Sequence, residues 1–176
     1  MDQSMNIFDN LSRKQVAKGT VMQTPGETAQ FAYRVLSGCL KSYLIDRSGK
    51  EHILQFAPED WIISDIDSLN RQGPSDIYIS ALEESEVQLI PREHLFRLEE
   101  YSKEDLENMN RLLLNNMAAT KGRLIAMLSY TAEERYQGFL NQYPSLANRL
   151  PQKWIAAYIG ITPEYLSEIR RKATKG

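Results

Sequence analysis

The spacing of hydrophobic positions changes near residue 91. Before it, apolar residues come in short alternating runs. Thr20–Thr24 is short and β-prone, and Pro25-Gly26-Glu27 closes it. Phe31–Ile45 carries Tyr33, Val35, Leu40, Tyr43 and Ile45, with Gly38 inside the run. Asp46-Arg47-Ser48-Gly49-Lys50 is a turn cluster, and Glu51–Phe56 alternates again, so the two runs predict a hairpin. Trp61–Ile66, Ile77–Leu82 and Glu86–Ile90 read as further strands, separated by Gln72-Gly73-Pro74-Ser75 and Glu83-Glu84-Ser85. Short strands spaced about 8–12 residues apart predict a sandwich or barrel. No helix-length segment lies between them, which disfavours a parallel α/β sheet.

After Pro91 the period becomes helical. Arg92–Glu100, with Leu95, Phe96 and Leu98, reads as a short helix. Ser102, with Asp105 three residues on, reads as the N-cap of a second helix. Its Leu106, Leu113, Met117, Leu124 and Met127, with Asn110 and Thr120, fall on one face at intervals of three, four and seven. That stripe belongs to a long helix paired with another helix; packing on its own β domain is the competing reading. A length of about 25–28 residues corresponds to about 40 Å. Thr131 and Glu134 form a capping box that breaks this helix near Tyr130 and opens another, Ala132–Tyr143, which stops at Pro144.

The most specific pattern spans Pro151 to Arg171. Ile155 and Ile159 give one helix an inner face, and Ala156 is small where a second helix would cross. Gly160 can take the left-handed conformation that ends that helix. Ile161 fills the turn, Thr162 caps the next helix, and Pro163 occupies its first position, where no N–H is missed. Leu166 and Ile169 point inward, leaving Glu164, Tyr165, Ser167, Glu168 and Arg171 outside. This is the physics of a helix-turn-helix, whose second helix enters the major groove of DNA. Lys153, Arg170, Arg171, Lys172 and Lys175 would serve phosphates. Glu164, Tyr165 and Ser167 would lie near base edges, with Gln152, Thr162 and Glu168 completing the candidate DNA-binding set.

Composition sharpens this picture. The 176 residues, 42% apolar and 25% charged, suit one domain, or one with an appendage, without need of staples. The formal charge is −2. From Arg149 onward there are six cations and two carboxylates, a net +4, which leaves −6 on residues 1–148. An acidic body with a basic end points to a polyanion partner for that end. One cysteine, Cys39, excludes an intrachain disulfide and suits a reducing, cytoplasmic setting. Nothing resembles a signal peptide or a membrane span. No catalytic or metal-ligating set is expected: His-x-His, Gly-x-Ser-x-Gly, P-loop and His-Glu-x-x-His patterns are all missing.

At the level of motifs the chain resembles the Crp–Fnr superfamily of bacterial transcription regulators, most closely the short members typical of Bacteroidetes. Lys18-Gly19-Thr20 through Gly26-Glu27, Phe31 to Gly38, Leu40-Lys41-Ser42-Tyr43, Asp46 to Glu51 and Ala81 to Val87 each match a family motif. So does the segment from Gln152 to Lys172. The resemblance implies an α+β chain in three parts. Residues 1–101 would form a cyclic-nucleotide-binding-like double-stranded β-helix, or jelly roll. Residues 102–130 would form the helix of a homodimer, and 131–176 an all-α helix-turn-helix domain. It implies palindromic double-stranded DNA as partner, with a small-molecule effector and RNA polymerase as further candidates.

Three departures from the family pattern matter. Where cyclic-nucleotide binders place Gly-Glu and then Arg-Ser/Thr-Ala, this chain has Ile63-Ser64-Asp65 and Ser75-Asp76-Ile77. The phosphate-pairing Arg is lost, so cyclic AMP is not expected to bind in the usual way and no cofactor is expected. A ligand pocket using Trp61, Ser64, Asp65, Ser75 and Tyr78 stays open. Iron–sulfur sensing needs several cysteines, and His52 and His94 have no recognisable partners. In the recognition segment Glu168 stands where many relatives carry Arg, and Tyr165 replaces a small hydroxyl residue. The alternative function is therefore a ligand-binding or protein-interaction module whose helix-turn-helix no longer reads DNA.

Overall fold

The computed structural model describes residues 8, 10–97, 99 and 101–173. Eight strands form two antiparallel four-stranded sheets. β1 (Arg13–Val16), β8 (Ser85–Pro91), β3 (Phe31–Ser37) and β6 (Ile62–Ile63) make the first, in the order β1-β8-β3-β6. β2 (Val21–Gln23), β7 (Tyr78–Ala81), β4 (Leu40–Ile45) and β5 (Glu51–Ala57) make the second, in the order β2-β7-β4-β5. Successive strands alternate between the sheets, except β4 and β5, which are neighbours in the second; this is the sandwich that the strand spacing predicts, in the jelly-roll form that the family resemblance implies. The core between them is Val16, Tyr33, Val35, Leu40, Ala57, Ile63, Ile79, Ala81 and Val87. Register places Val35 opposite Val87 and Leu40 opposite Ala81, so each sheet turns one apolar face inward.

Several expected boundaries need correction. Phe31–Ile45 is two strands on different sheets. The chain crosses at Gly38, whose φ is +86° and where a Cβ would stand 2.3 Å from the Ser85 hydroxyl oxygen. Trp61–Ile66 shrinks to the two residues of β6, because Asp65 caps α1 (Ile66–Arg71) and sends Ile66 out to solvent. β1 escapes the hydrophobic pattern: Arg13, Lys14 and Gln15 are all exposed on an edge strand, held by pairing with β8. α2 covers only Arg92–Phe96, and the expected Leu98 and Glu100 lie outside the described residues.

Four helices follow. α3 (Lys103–Ser129) has 27 residues. Ser102 caps it, accepting from the Asp105 N–H (3.1 Å) and donating to the Asp105 carboxylate (2.6 Å). Leu113, Met117, Leu124 and Leu128 are 56%, 64%, 60% and 78% exposed along it. Thr131 opens α4 (Ala132–Gln142) with the expected capping box. α5 (Gln152–Ile159) and α6 (Pro163–Ala173) are the last elements among the described residues. Tyr136, Phe139, Tyr143 and Leu146 are buried, and Tyr143 meets Tyr158 edge-on at 5.7 Å. No helix among the described residues is long and apolar enough to cross a membrane.

The chain divides into two compact units, residues 1–44 with 54–112 and residues 45–53 with 113–176. The division falls inside α3, not at its ends, and the tip of the β4–β5 hairpin belongs with the helices.

Candidate nucleic-acid interface

The α5–turn–α6 segment is built by local chemistry. α5 ends where Gly160 reaches φ +74° and its N–H returns to the Ala156 carbonyl. The Ile161 N–H bonds the same carbonyl at 3.0 Å, giving a Schellman-type stop. Thr162 then caps α6, its Oγ1 accepting from the Tyr165 N–H at 3.2 Å. Ile155, Ala156, Ile159, Leu166 and Ile169 are buried. Glu164, Ser167, Glu168, Arg171 and Lys172 are exposed, and Arg170 is half-buried. Arg170, Arg171 and Lys172 sit in the last turn of α6, where the helix dipole favours cations.

Two candidate base readers are already engaged. The Tyr165 hydroxyl donates to the Glu133 carboxylate at the start of α4 (3.2 Å). That hydrogen bond and the carboxylate's charge push the phenol up from its ordinary value. The Ser167 hydroxyl lies 2.8 Å from Gln152 Oε1 and 3.0 Å from the Pro163 carbonyl, so Gln152 and Ser167 are paired across the two helices. The Lys153 ammonium rests 5.2 Å from the centre of the Trp154 ring. Lys175 falls outside the described residues. Arg135 was not singled out by its sequence context. Its Nε donates to the Ile159 carbonyl and its Nη1 to the Tyr130 carbonyl, both at 2.8 Å, so one side chain closes the ends of both α3 and α5.

In the roll, Asp65 and Ser75 come together. Asp65 Oδ1 accepts from the Ser68 N–H at the start of α1 (3.1 Å), and Oδ2 accepts from the buried Ser75 hydroxyl (2.7 Å). A carboxylate of the chain itself thus satisfies the first turn of α1 and ties it to Ser75. Arg71 pairs with Asp67 on the same helix. Ser64 is half-buried. Trp61 packs on the core just ahead of β6 of the first sheet, whereas Tyr78 on β7 of the second sheet stacks on Tyr43 at 5.0 Å. Cys39 is fully buried and its N–H donates to the Ser85 hydroxyl. His52 does have a partner, contrary to expectation: its Nε2 lies 2.7 Å from Asp46 Oδ2.

Residues 13–101 match the model of the cyclic nucleotide-binding domain. The chain belongs to that family, in its Crp/Fnr branch. The anaerobic regulatory protein of Aggregatibacter actinomycetemcomitans is 27% identical, over 96% of this chain and 68% of its own length. FixK2 from Bradyrhizobium japonicum superposes with a TM-score of 0.76 at 18% identity, over 94% of this chain and 85% of that one. A CRP/FNR-family transcriptional regulator from Thermus thermophilus superposes at 0.73 and 15% identity, over 93% and 86%. These relatives are regulatory proteins, and the comparisons lend no support to the alternative of a module that no longer reads DNA.

In the roll, α1 is capped by the chain's own Asp65. α6 carries Glu164 and Glu168 four residues apart, on one helical face. In a major groove, carboxylates at these positions would accept hydrogen bonds from cytosine amines and repel phosphates, leaving attraction to a polyanion to the cations at the end of α6.

Proposed function

We propose that this regulator works as a homodimer through residues 102–130 and reads a two-fold-symmetric duplex with α6. We assign residues 1–101 to the sensor roll, 131–176 to DNA binding, and the chain to the short Bacteroidetes-type subgroup on its motifs. The observation that carries the DNA reading is the closed α5–α6 turn with Arg170, Arg171 and Lys172 at the end of the exposed helix. Arg171 and Lys172 are phosphate ligands, with Arg170 beside them and Lys153 on α5. Glu164 and Glu168 face base edges. Gln152 and Ser167 act as a pair, Thr162 keeps the cap, and Tyr165 orients α6 through Glu133.

Dimerisation rests on the exposed apolar row of α3, which a second copy of the same helix would cover. The roll does not take cyclic AMP in the usual way, because Asp65 already satisfies the first turn of α1. An effector of other chemistry and contact with RNA polymerase complete the proposal, and the protein acts in the cytoplasm without enzymatic activity.

Fluorescence anisotropy with a duplex enriched from a random library tests the DNA reading. Arg171→Ala should weaken binding to all sequences alike and reduce the salt slope by about one. An unchanged slope would contradict the assignment.

A further inference from the structure

α5 ends against charged side chains from two other helices. Its Ile159 carbonyl takes Arg135 of α4, and its Tyr158 carbonyl takes Arg123 of α3 at 2.9 Å. The same Arg123 nitrogen, Nη2, also reaches the carbonyl of Ile53 at 2.5 Å, on the β5 side of the hairpin tip. The guanidinium lies 4.1 Å from the centre of the Tyr158 ring, and the Tyr158 hydroxyl bonds Gln142 of α4 (3.3 Å). One cation therefore joins a hairpin carbonyl, a helix-end carbonyl and an aromatic face.

We propose that Arg123 is a positioning residue for DNA binding: it ties the β4–β5 hairpin tip to the C-terminal end of α5 and so sets the recognition helix. Both partners are main-chain carbonyls, which cannot follow a moving guanidinium by changing rotamer. The tip itself is stiff. Asp46 accepts from the Ser48 N–H (2.8 Å), the Ser48 hydroxyl (2.5 Å) and the Lys50 N–H (3.1 Å), and meets His52. β4 and β5 continue from that tip into the second sheet of the roll. On the other side only Gly160, Ile161 and Thr162 separate α5 from α6. A displacement of the hairpin must therefore either break a charge-assisted bond at Arg123 or carry α5 with it.

The proposal rests on the reading that α6 enters DNA, and its test separates the two. The full chain is titrated with the library-enriched duplex and with a random-sequence duplex, and amide exchange is followed over residues 45–57 and 152–162. Arg123→Met should weaken the enriched duplex about tenfold, the worth of one charge-assisted hydrogen bond. Binding to random duplex should change less than about twofold, because the phosphate ligands are untouched. Exchange should rise in both segments together, and Arg123→Lys should recover part of the loss. Asp46→Ala, which loosens the tip, should weaken specific binding in the parent chain and add nothing to Arg123→Met. If Arg123→Met fails to fold, Arg123→Lys and Asp46→Ala carry the same comparison.

Equal losses on both duplexes, additive effects of the two substitutions, or exchange rising in one segment alone would overturn the proposal. A parent chain that enriches no duplex would instead overturn the DNA reading, and the paired exchange response would then decide the Arg123 link by itself.

Discussion

Replacing Gly160 by Ala strikes the turn on which the helix-turn-helix depends. Two costs can be separated. The backbone there has φ +74°, and holding an L-residue with a Cβ in that region costs about 1–2 kcal/mol. The new Cβ would also stand 2.7 Å from Met127 Cε and 3.5 Å from its sulfur. Met127 is 43% exposed and has three rotatable side-chain bonds, so its methyl can swing aside at little cost. The expected loss is therefore about 1–2 kcal/mol, nearly all of it backbone. Urea unfolding followed by Trp154 fluorescence, in a Trp61→Phe background that leaves a single tryptophan, reads this helical segment. In a Met127→Ala background the loss should persist within about 0.5 kcal/mol. Gly160→Asn should be milder than Gly160→Ala, because Asn tolerates the left-handed region. The reasoning is refuted if the loss disappears with Met127→Ala, or if Asn and Ala cost the same.

Three further outcomes follow from particular side chains. Cyclic AMP or cyclic GMP at millimolar concentration should leave the thermal midpoint unchanged; a micromolar dissociation constant would contradict the role given to Asp65. Leu124→Glu, on the exposed row of α3, should convert a dimer to a monomer in sedimentation equilibrium with the helical circular dichroism kept, and a persisting dimer would remove α3 from the interface. The hydroxyl of Ser48, the ring of His52 and the N–H of Lys50 hold the Asp46 carboxyl well below its ordinary value of 3.8. A lowered native pKa means that the order Asp46 gives the hairpin is complete above pH 3.8 and is lost only as pH falls through the lower native value. Carbon-13 titration of the Asp46 carboxyl should show that low midpoint, and a midpoint at 3.8 or above would contradict it.

Some of this was legible in the chain because its causes are local. Gly160, Thr162 and Pro163 act within one turn of themselves, as do Ser102 and the Thr131–Glu134 box, so helix ends could be read residue by residue. The roll was legible as a strand pattern, but its crossings were not. Gly38 looks like an interruption in one strand, and only the closeness of Ser85, 47 positions later, makes it the corner between two sheets. β1 was illegible because an edge strand with exposed Arg13, Lys14 and Gln15 carries no apolar alternation. At the interface, sequence spacing placed Tyr165 and Ser167 on the outer face of α6 but not what they touch. Glu133 lies 32 positions from Tyr165 and Gln152 lies 15 from Ser167. Arg123 and Arg135 gave no signal at all, since a lone arginine on a helix is ordinarily solvated; their roles come from carbonyls that only the folded chain brings near.

The central claim is that α6 of a dimer reads duplex DNA, and selection from a random-sequence library at moderate salt tests it most directly. The account predicts enrichment of a site whose two half-sites are related by two-fold symmetry and spaced about 10 base pairs or a multiple apart, centre to centre. Enrichment of no symmetric site, with every library member bound alike, would contradict it.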